Sequence, residues 1–162
     1  MDASLFSAIS VIAENQYVLI RGRDQRIAGI VTASDLNLQF RQPAEPFLLL
    51  GEIENHVRRI ISAHFKGETL EAIKDPSDPD REINGVEDLT FGEYVRLLEN
   101  PERWAQMGIA VDRKEFVNML ESVRKIRNDV MHFDPDGIPD LDLRTLRECA
   151  QFFQRLQIIG VT

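Results

Sequence analysis

Cysteine, histidine, long apolar runs and positive charge are all in short supply in this chain, and each shortage excludes something. With one cysteine, Cys149, no internal disulfide can form. With only three histidines, His56, His64 and His132, beside that single thiol, a Cys/His zinc cage is excluded. No apolar run approaches the roughly 20 residues that a membrane span needs. The opening MDASLFSAISV carries no basic stretch ahead of its apolar residues, so no signal peptide is expected. Lys and Arg number 19 against 27 Asp and Glu, a net charge of −8, which argues against a broad positive field that would hold nucleic acid without regard to sequence. The expectation is a cytoplasmic protein without a membrane role.

What is present is the balance of a globular chain: 162 residues, 43% hydrophobic and 28% charged. That length suits one good domain, or one domain and a fragment. Residues 4–13 read as a short helix with Leu5, Ile9 and Ile12 on one side. Tyr17–Arg21 and Ile27–Val31 read as strands around a Gly-Arg-Asp-Gln turn. A helix is expected from Thr32, where Thr-Ala-Ser-Asp makes a T-x-x-D cap. Residues 38–46, with two prolines, read as a linker. Phe47–Phe65 is then an amphipathic helix with Leu50, Ile53, Val57, Ile60 and Ile61 on its stripe. Arg58, Arg59 and the two histidines His56 and His64 are expected on its solvent side. Lys66–Asp88 reads as a long loop rather than a site, since its Asp-Pro units lack the spacing of a calcium loop.

Thr90 and Glu93 form a capping box that opens a helix to about Glu99. A break at Pro101 follows, with a turn carrying Trp104 as a core plug. The longest helical pattern is Asp112–Phe133, with Phe116, Met119, Leu120, Val123, Ile126 and Val130 on one apolar arc. A last helix, about Leu143–Ile159, places Leu146, Cys149, Phe153 and Leu156 inward, so Cys149 reads as packing rather than as a nucleophile. The fold class expected is mainly α: a bundle of four to five helices over 46–162, preceded by a small α/β segment, helix-strand-strand-helix, over 1–42.

In that first segment, Gly29-Ile30-Val31-Thr32-Ala33-Ser34-Asp35-Leu36 resembles the closing phrase of a CBS domain, without the leading strand of such a domain and without a second repeat. The resemblance implies that Thr32 and Asp35 contact the phosphate and ribose of an adenine nucleotide. From the residues alone, Thr32 caps the helix and Asp35 sits in its first turn, where the dipole favours it. A docking or dimerisation surface is a further use for the segment.

The Asp112–Phe133 helix carries the sharper chemistry. Arg127 projects into the edge of the apolar arc, where a guanidinium must snorkel, pair, or wait for an anion. His132, five residues on, stands where the helix ends and can take or give a proton near neutrality. Asn128 lies about 40° from His132 in projection, one helical turn away. An arginine fork suits a phosphate, or the charge that builds on a phosphorane. These are parts of a metal-free phosphodiester cleavage, and two copies would supply both an acid and a base. Arg127-Asn128-Asp129-Val130-Met131-His132 resembles the R-x-x-x-x-H signature of HEPN domains, and the helical pattern over 46–160 is similar to a HEPN bundle.

The resemblance implies a homodimeric, metal-independent endoribonuclease with Arg127, Asn128 and His132 as its catalytic residues. No cofactor is required, RNA is the substrate, and an antitoxin or regulatory protein is a partner in a toxin–antitoxin or phage-defence setting. The alternative is a non-catalytic regulatory or interaction module, in which the CBS-like segment holds a nucleotide or a partner and the bundle dimerises.

Overall fold

The structure, a computed structural model, describes residues 5–132 and 138–158. It is mainly helical with one two-stranded sheet, and it divides into two compact units, Met1–Glu45 and Pro46–Thr162.

In the first unit, helix α1 (Leu5–Asn15) closes at Gln16, whose N–H donates to the Ile12 carbonyl at 2.7 Å and whose left-handed φ of 72° turns the chain out of the helix. Strands β1 (Tyr17–Arg21) and β2 (Ile27–Thr32) pair antiparallel, Leu19 opposite Ile30, with a slip between Ile20 and Arg21. Their turn is pinned by Gly22 N–H on the Arg26 carbonyl (2.8 Å) and by Asp24, whose carboxylate accepts the Arg26 N–H at 3.1 Å. Tyr17, Leu19 and Ile30 lie on one face at 51%, 54% and 54% exposure, so the pair presents an apolar face to solvent. Helix α2 (Ala33–His64) starts where the T-x-x-D pattern predicts. Asp35 accepts from the Thr32 N–H (2.9 Å) and hydroxyl (2.7 Å), and returns its own N–H to that hydroxyl at 3.3 Å.

The linker expected at 38–46 is corrected: these residues are helical, and α2 passes through Pro43 and Pro46. A proline deletes one N–H and crowds the carbonyl four residues earlier, a cost of about 3 kcal/mol that weakens a helix without forbidding it.

The second unit adds α3 (Glu68–Glu71), a 3-10 turn (Val86–Asp88), α4 (Phe91–Glu99), α5 (Pro101–Met107), α6 (Arg113–Met131) and α7 (Asp140–Ile158). Its core gathers Ile53, Val57, Ile60 and Ile61 with Tyr94, Leu97 and Leu98, Phe116 and Leu120, and Leu146 and Phe153. Phe116 is central, with the Trp104, Phe152 and Phe153 rings at 5.0, 6.0 and 5.7 Å. Trp104 is thus the core plug, though on a helix rather than a turn: Asn100 caps Glu102 and Arg103, Pro101 takes the first helical position, and Gly108 ends α5 at φ 63°. Among the described residues no helix is long and apolar enough to cross a membrane.

Two solvent-side expectations on α2 are corrected. His56 is buried and stacks on Phe153 at 5.5 Å with the rings 8° from parallel. It sits three after Ile53 and four before Ile60, inside the i, i+3, i+4, i+7 stripe, so the helix turns it inward despite its polarity. Arg58 also points into the unit: its Nε donates to the Tyr94 hydroxyl at 2.8 Å, while Nη2 pairs with Glu54 at 2.7 Å. His64 is exposed, with Nδ1 2.9 Å from the Ile60 carbonyl.

Candidate functional site

Helix α6 presents the candidate residues. Asp112 caps it by accepting the Glu115 N–H at 3.0 Å, and Phe116, Val117, Leu120, Val123, Ile126 and Val130 bury its inner arc. The arc determines how everything else on α6 faces. Arg127 follows Ile126 by 100° and stands half-buried at the arc's edge, while Asn128 and His132 are exposed. Among the described residues the Arg127 side chain makes no hydrogen bond and no ion pair. His132 is the C-cap; its N–H reaches the Asp129 carbonyl at 3.1 Å, and its ring has no partner among the described residues.

Opposite α6 lies α4, and between the two is an open groove of about 440 Å³. Its α6 wall is Glu121, Arg124, Arg127 and Asn128; its α4 wall includes Thr90, Gly92, Arg96 and Glu99, over a floor of Phe91 and Val95, with Asp75 at one end. Arg127 and Asn128 are therefore brought together in one groove. His132 is not among the residues that line it; it stands one turn beyond Asn128 on the same exposed stripe.

What holds the α4 wall is a buried carboxylate. Glu93 is 1% exposed. Its Oε2 accepts the Thr90 N–H at 2.7 Å in the expected capping box, while its Oε1 accepts the Asp75 N–H at 2.6 Å and an Arg81 Nη2–H. Burial pushes the Glu93 carboxyl up, but the Arg81 guanidinium and these amides outweigh it and hold it below the ordinary range. Apart from α3 and the 3-10 turn, residues 66–88 are a loop as expected, but a tethered one, and it contributes to the groove, which corrects the expectation that the stretch stands apart from any site. Leu70 and Ile73 are buried in the core, and Lys74 binds the Pro79 and Arg81 carbonyls, both at 3.0 Å. Its Asp75 reaches the groove. Behind the wall, the Tyr94 hydroxyl accepts from Arg58 and donates to the Val86 carbonyl at 3.1 Å. Burial pushes that phenol up, and the Arg58 and Arg127 charges pull against it.

The groove's guanidiniums are engaged to different degrees. Arg96 Nη1 donates to the Ile73 and Lys74 carbonyls (2.9 and 3.4 Å), with Nη2 3.5 Å from Asp75. Among the described residues Arg124 spends only its Nε, on Glu121 at 2.8 Å. Arg127 spends nothing on any described residue. Sequence reasoning missed Arg96, Arg124 and Asp75 as groove residues. Arg124 had a signal, three residues before Arg127 on the same helix side; Arg96 and Asp75 had none, because only folding brings them there.

Comparison of the chain with protein-family models, with curated proteins and with solved structures finds no match in any of the three. Thr32 and Asp35 satisfy each other, and the Asp35 carboxyl is held low by the Thr32 hydroxyl and N–H. Cys149 is buried, and desolvation raises its thiol to about 12, so it is not a nucleophile at neutral pH. Among the described residues no group of three His, Cys, Asp or Glu side chains is placed to hold a metal ion.

Proposed function

We propose that this chain is a metal-independent endoribonuclease that works as a homodimer, with Arg127, Asn128 and His132 of each copy lining a shared cleft. The observation that carries the reading is Arg127. Arg127 is a half-buried residue whose guanidinium nitrogens are not sealed from solvent, so the fork of donors is open to an incoming anion. It makes no hydrogen bond or ion pair among the described residues and stands beside Asn128 in an open groove. A phosphate is the ligand its planar fork of donors suits. His132 is exposed on the same helix, able to exchange protons with a bound substrate.

The chemistry needs no group that the chain lacks. One histidine takes the proton of a ribose 2′-hydroxyl, whose oxygen attacks the adjacent phosphorus. The P–O5′ bond breaks, and the second histidine protonates the leaving 5′-oxygen, giving a 2′,3′-cyclic phosphate and a 5′-hydroxyl. The arginines hold the charge that gathers on the non-bridging oxygens. A single copy supplies one histidine of this kind, hence the dimer.

Incubation with single-stranded RNA in excess EDTA tests this. Cleavage to cyclic-phosphate ends is expected, reduced at least 100-fold in His132→Ala and in Arg127→Ala, in keeping with the usual contribution of a positioned acid–base group. Cleavage that survives His132→Ala unchanged, or a protein that is monomeric and inert, refutes it.

The non-catalytic reading keeps one specific support, the apolar outer face of the β1–β2 pair at Tyr17, Leu19 and Ile30, which suits a docking partner such as a regulatory protein. Its nucleotide half asks more, since a ligand at Thr32 and Asp35 would displace the bonds those side chains already make to each other. Calorimetry with AMP, ADP and ATP, repeated on Asp35→Ala, decides it; binding that Asp35→Ala leaves intact removes these two residues from the site.

A further inference from the structure

We infer that the α4–α6 groove is a one-nucleotide subsite for the RNA strand flanking the scissile bond, in which Arg124 and Arg127 hold a phosphate for which Glu121 is the resident competitor. The inference rests on the reading of Arg127 as a phosphate ligand and adds to it a substrate register, a second binding residue and a sign for a neighbouring acid.

Shape limits what can enter. A groove of about 440 Å³ lies within the range that small-ligand sites occupy and has room for one nucleotide unit, not for a duplex. Charge limits it again. The lining holds three arginines (Arg96, Arg124, Arg127) and three carboxylates (Asp75, Glu99, Glu121), so the groove is formally neutral on a chain of net −8. A run of phosphates gains nothing from such a surface. A single phosphate gains if one carboxylate gives way.

The contacts show which one. Arg96 is tied to two backbone carbonyls and lies near Asp75, so its guanidinium is held as part of the wall. Among the described residues Arg124 bonds only to Glu121, one turn before it on the same helix, and the two side chains are 39% and 36% exposed. A pair so wetted is screened and readily exchanged. Once Glu121 swings away, Arg124 has no hydrogen-bond partner among the described residues, as is already true of Arg127. The two guanidiniums are three residues apart on one helix face, neighbours close enough to share one phosphate. Asn128 stands next along α6 toward His132, so a nucleotide whose phosphate lies on Arg124 and Arg127 has its neighbouring linkage directed to the histidine.

The test is equilibrium binding, by fluorescence anisotropy, of a fully 2′-O-methylated single-stranded oligonucleotide that cannot be cleaved, measured across a salt series. Arg124→Gln should weaken binding about tenfold and lower the salt slope by about one, the signature of one lost phosphate contact. Glu121→Gln should tighten binding two- to fivefold. Arg59→Gln, which changes net charge equally on the exposed face of α2, should do neither. Thermal melts of all three should match wild type, because these side chains lie outside the core. An Arg124→Gln protein with wild-type affinity and slope, a Glu121→Gln protein that binds no tighter, or no binding of the oligonucleotide at all overturns the subsite. The catalytic reading fails separately: RNA that is bound through Arg124 but never cut leaves the subsite standing without the nuclease, and RNA that is cut with Arg124→Gln indistinguishable in binding leaves the nuclease without the subsite.

Discussion

Replacing Glu93 by glutamine changes one oxygen for an amide and should undo the wall of the groove. The carboxylate takes three N–H donors in a site only 1% exposed: Asp75 N–H, Thr90 N–H and Arg81. Bonds to a charged acceptor contribute about 1.5–3 kcal/mol each, against about 1 for neutral ones. In the variant the two bonds on the remaining oxygen each weaken by roughly 1 kcal/mol. The new NH₂ faces the Thr90 N–H, and a buried donor left unmet costs about 1–3 kcal/mol. Against this, an amide is cheaper to bury than a carboxylate, which returns about a third of the loss and leaves a net cost of about 3 kcal/mol. For a domain of this size that is a fall in Tm of about 10 °C.

The pH dependence carries the sharper test. The folded carboxyl is held below its ordinary 4.5, so its stabilisation is fully present above that pH and is lost as the pH falls through the lowered folded value. Urea unfolding followed by circular dichroism, at pH 7 and in steps down to pH 3, should show the gap between wild type and Glu93→Gln closing below about pH 4.5. A variant within about 0.5 kcal/mol of wild type at pH 7, the usual size of a surface change, or a gap that stays constant into acid, would refute the assignment of Glu93 as the charged centre of this network.

Further outcomes follow from the same structure. His56 lies below its ordinary 6.5 because burial disfavours its charged form, with Arg59 adding to this and Glu52 opposing it. The unfolded chain therefore takes the proton first, and stability should fall as pH drops below about 6.5; His56→Phe, which keeps an aromatic ring for Phe153, should flatten that fall, and an unchanged profile counts against it. Cys149, raised to about 12, should resist a thiol reagent at pH 8 in the native protein and react only at the rate of unfolding, so rapid labelling of the folded chain would contradict its burial.

Local features were legible in the sequence because they span a turn or less of chain. The caps at Thr32, Thr90 and Asp112 are i to i+3 hydrogen bonds, and each is found where the residue pattern puts it. The inward faces of α6 and α7 follow from the 3.6-residue period, and Leu146, Cys149, Phe153 and Leu156 are all buried. Even Arg127's odd place on the apolar arc was visible as a matter of angle.

What the sequence could not determine was what each polar group meets. Arg81 finds Glu93 twelve residues away, and Arg58 finds Tyr94 thirty-six residues away. These partnerships tether the loop over 66–88 and tie an apparent surface arginine to a buried tyrosine. Pro43 and Pro46 read as a break because propensity is a local cost, and α2 runs through them regardless. The same distinction applies to the candidate site. Sequence alone placed Arg127, Asn128 and His132 on one helix. Only tertiary structure put Arg127 and Asn128 in a groove, left the arginine without a partner among the described residues, and set Arg96, Arg124 and three carboxylates around it, because packing α4 against α6 assembles charges that no spacing along the chain records.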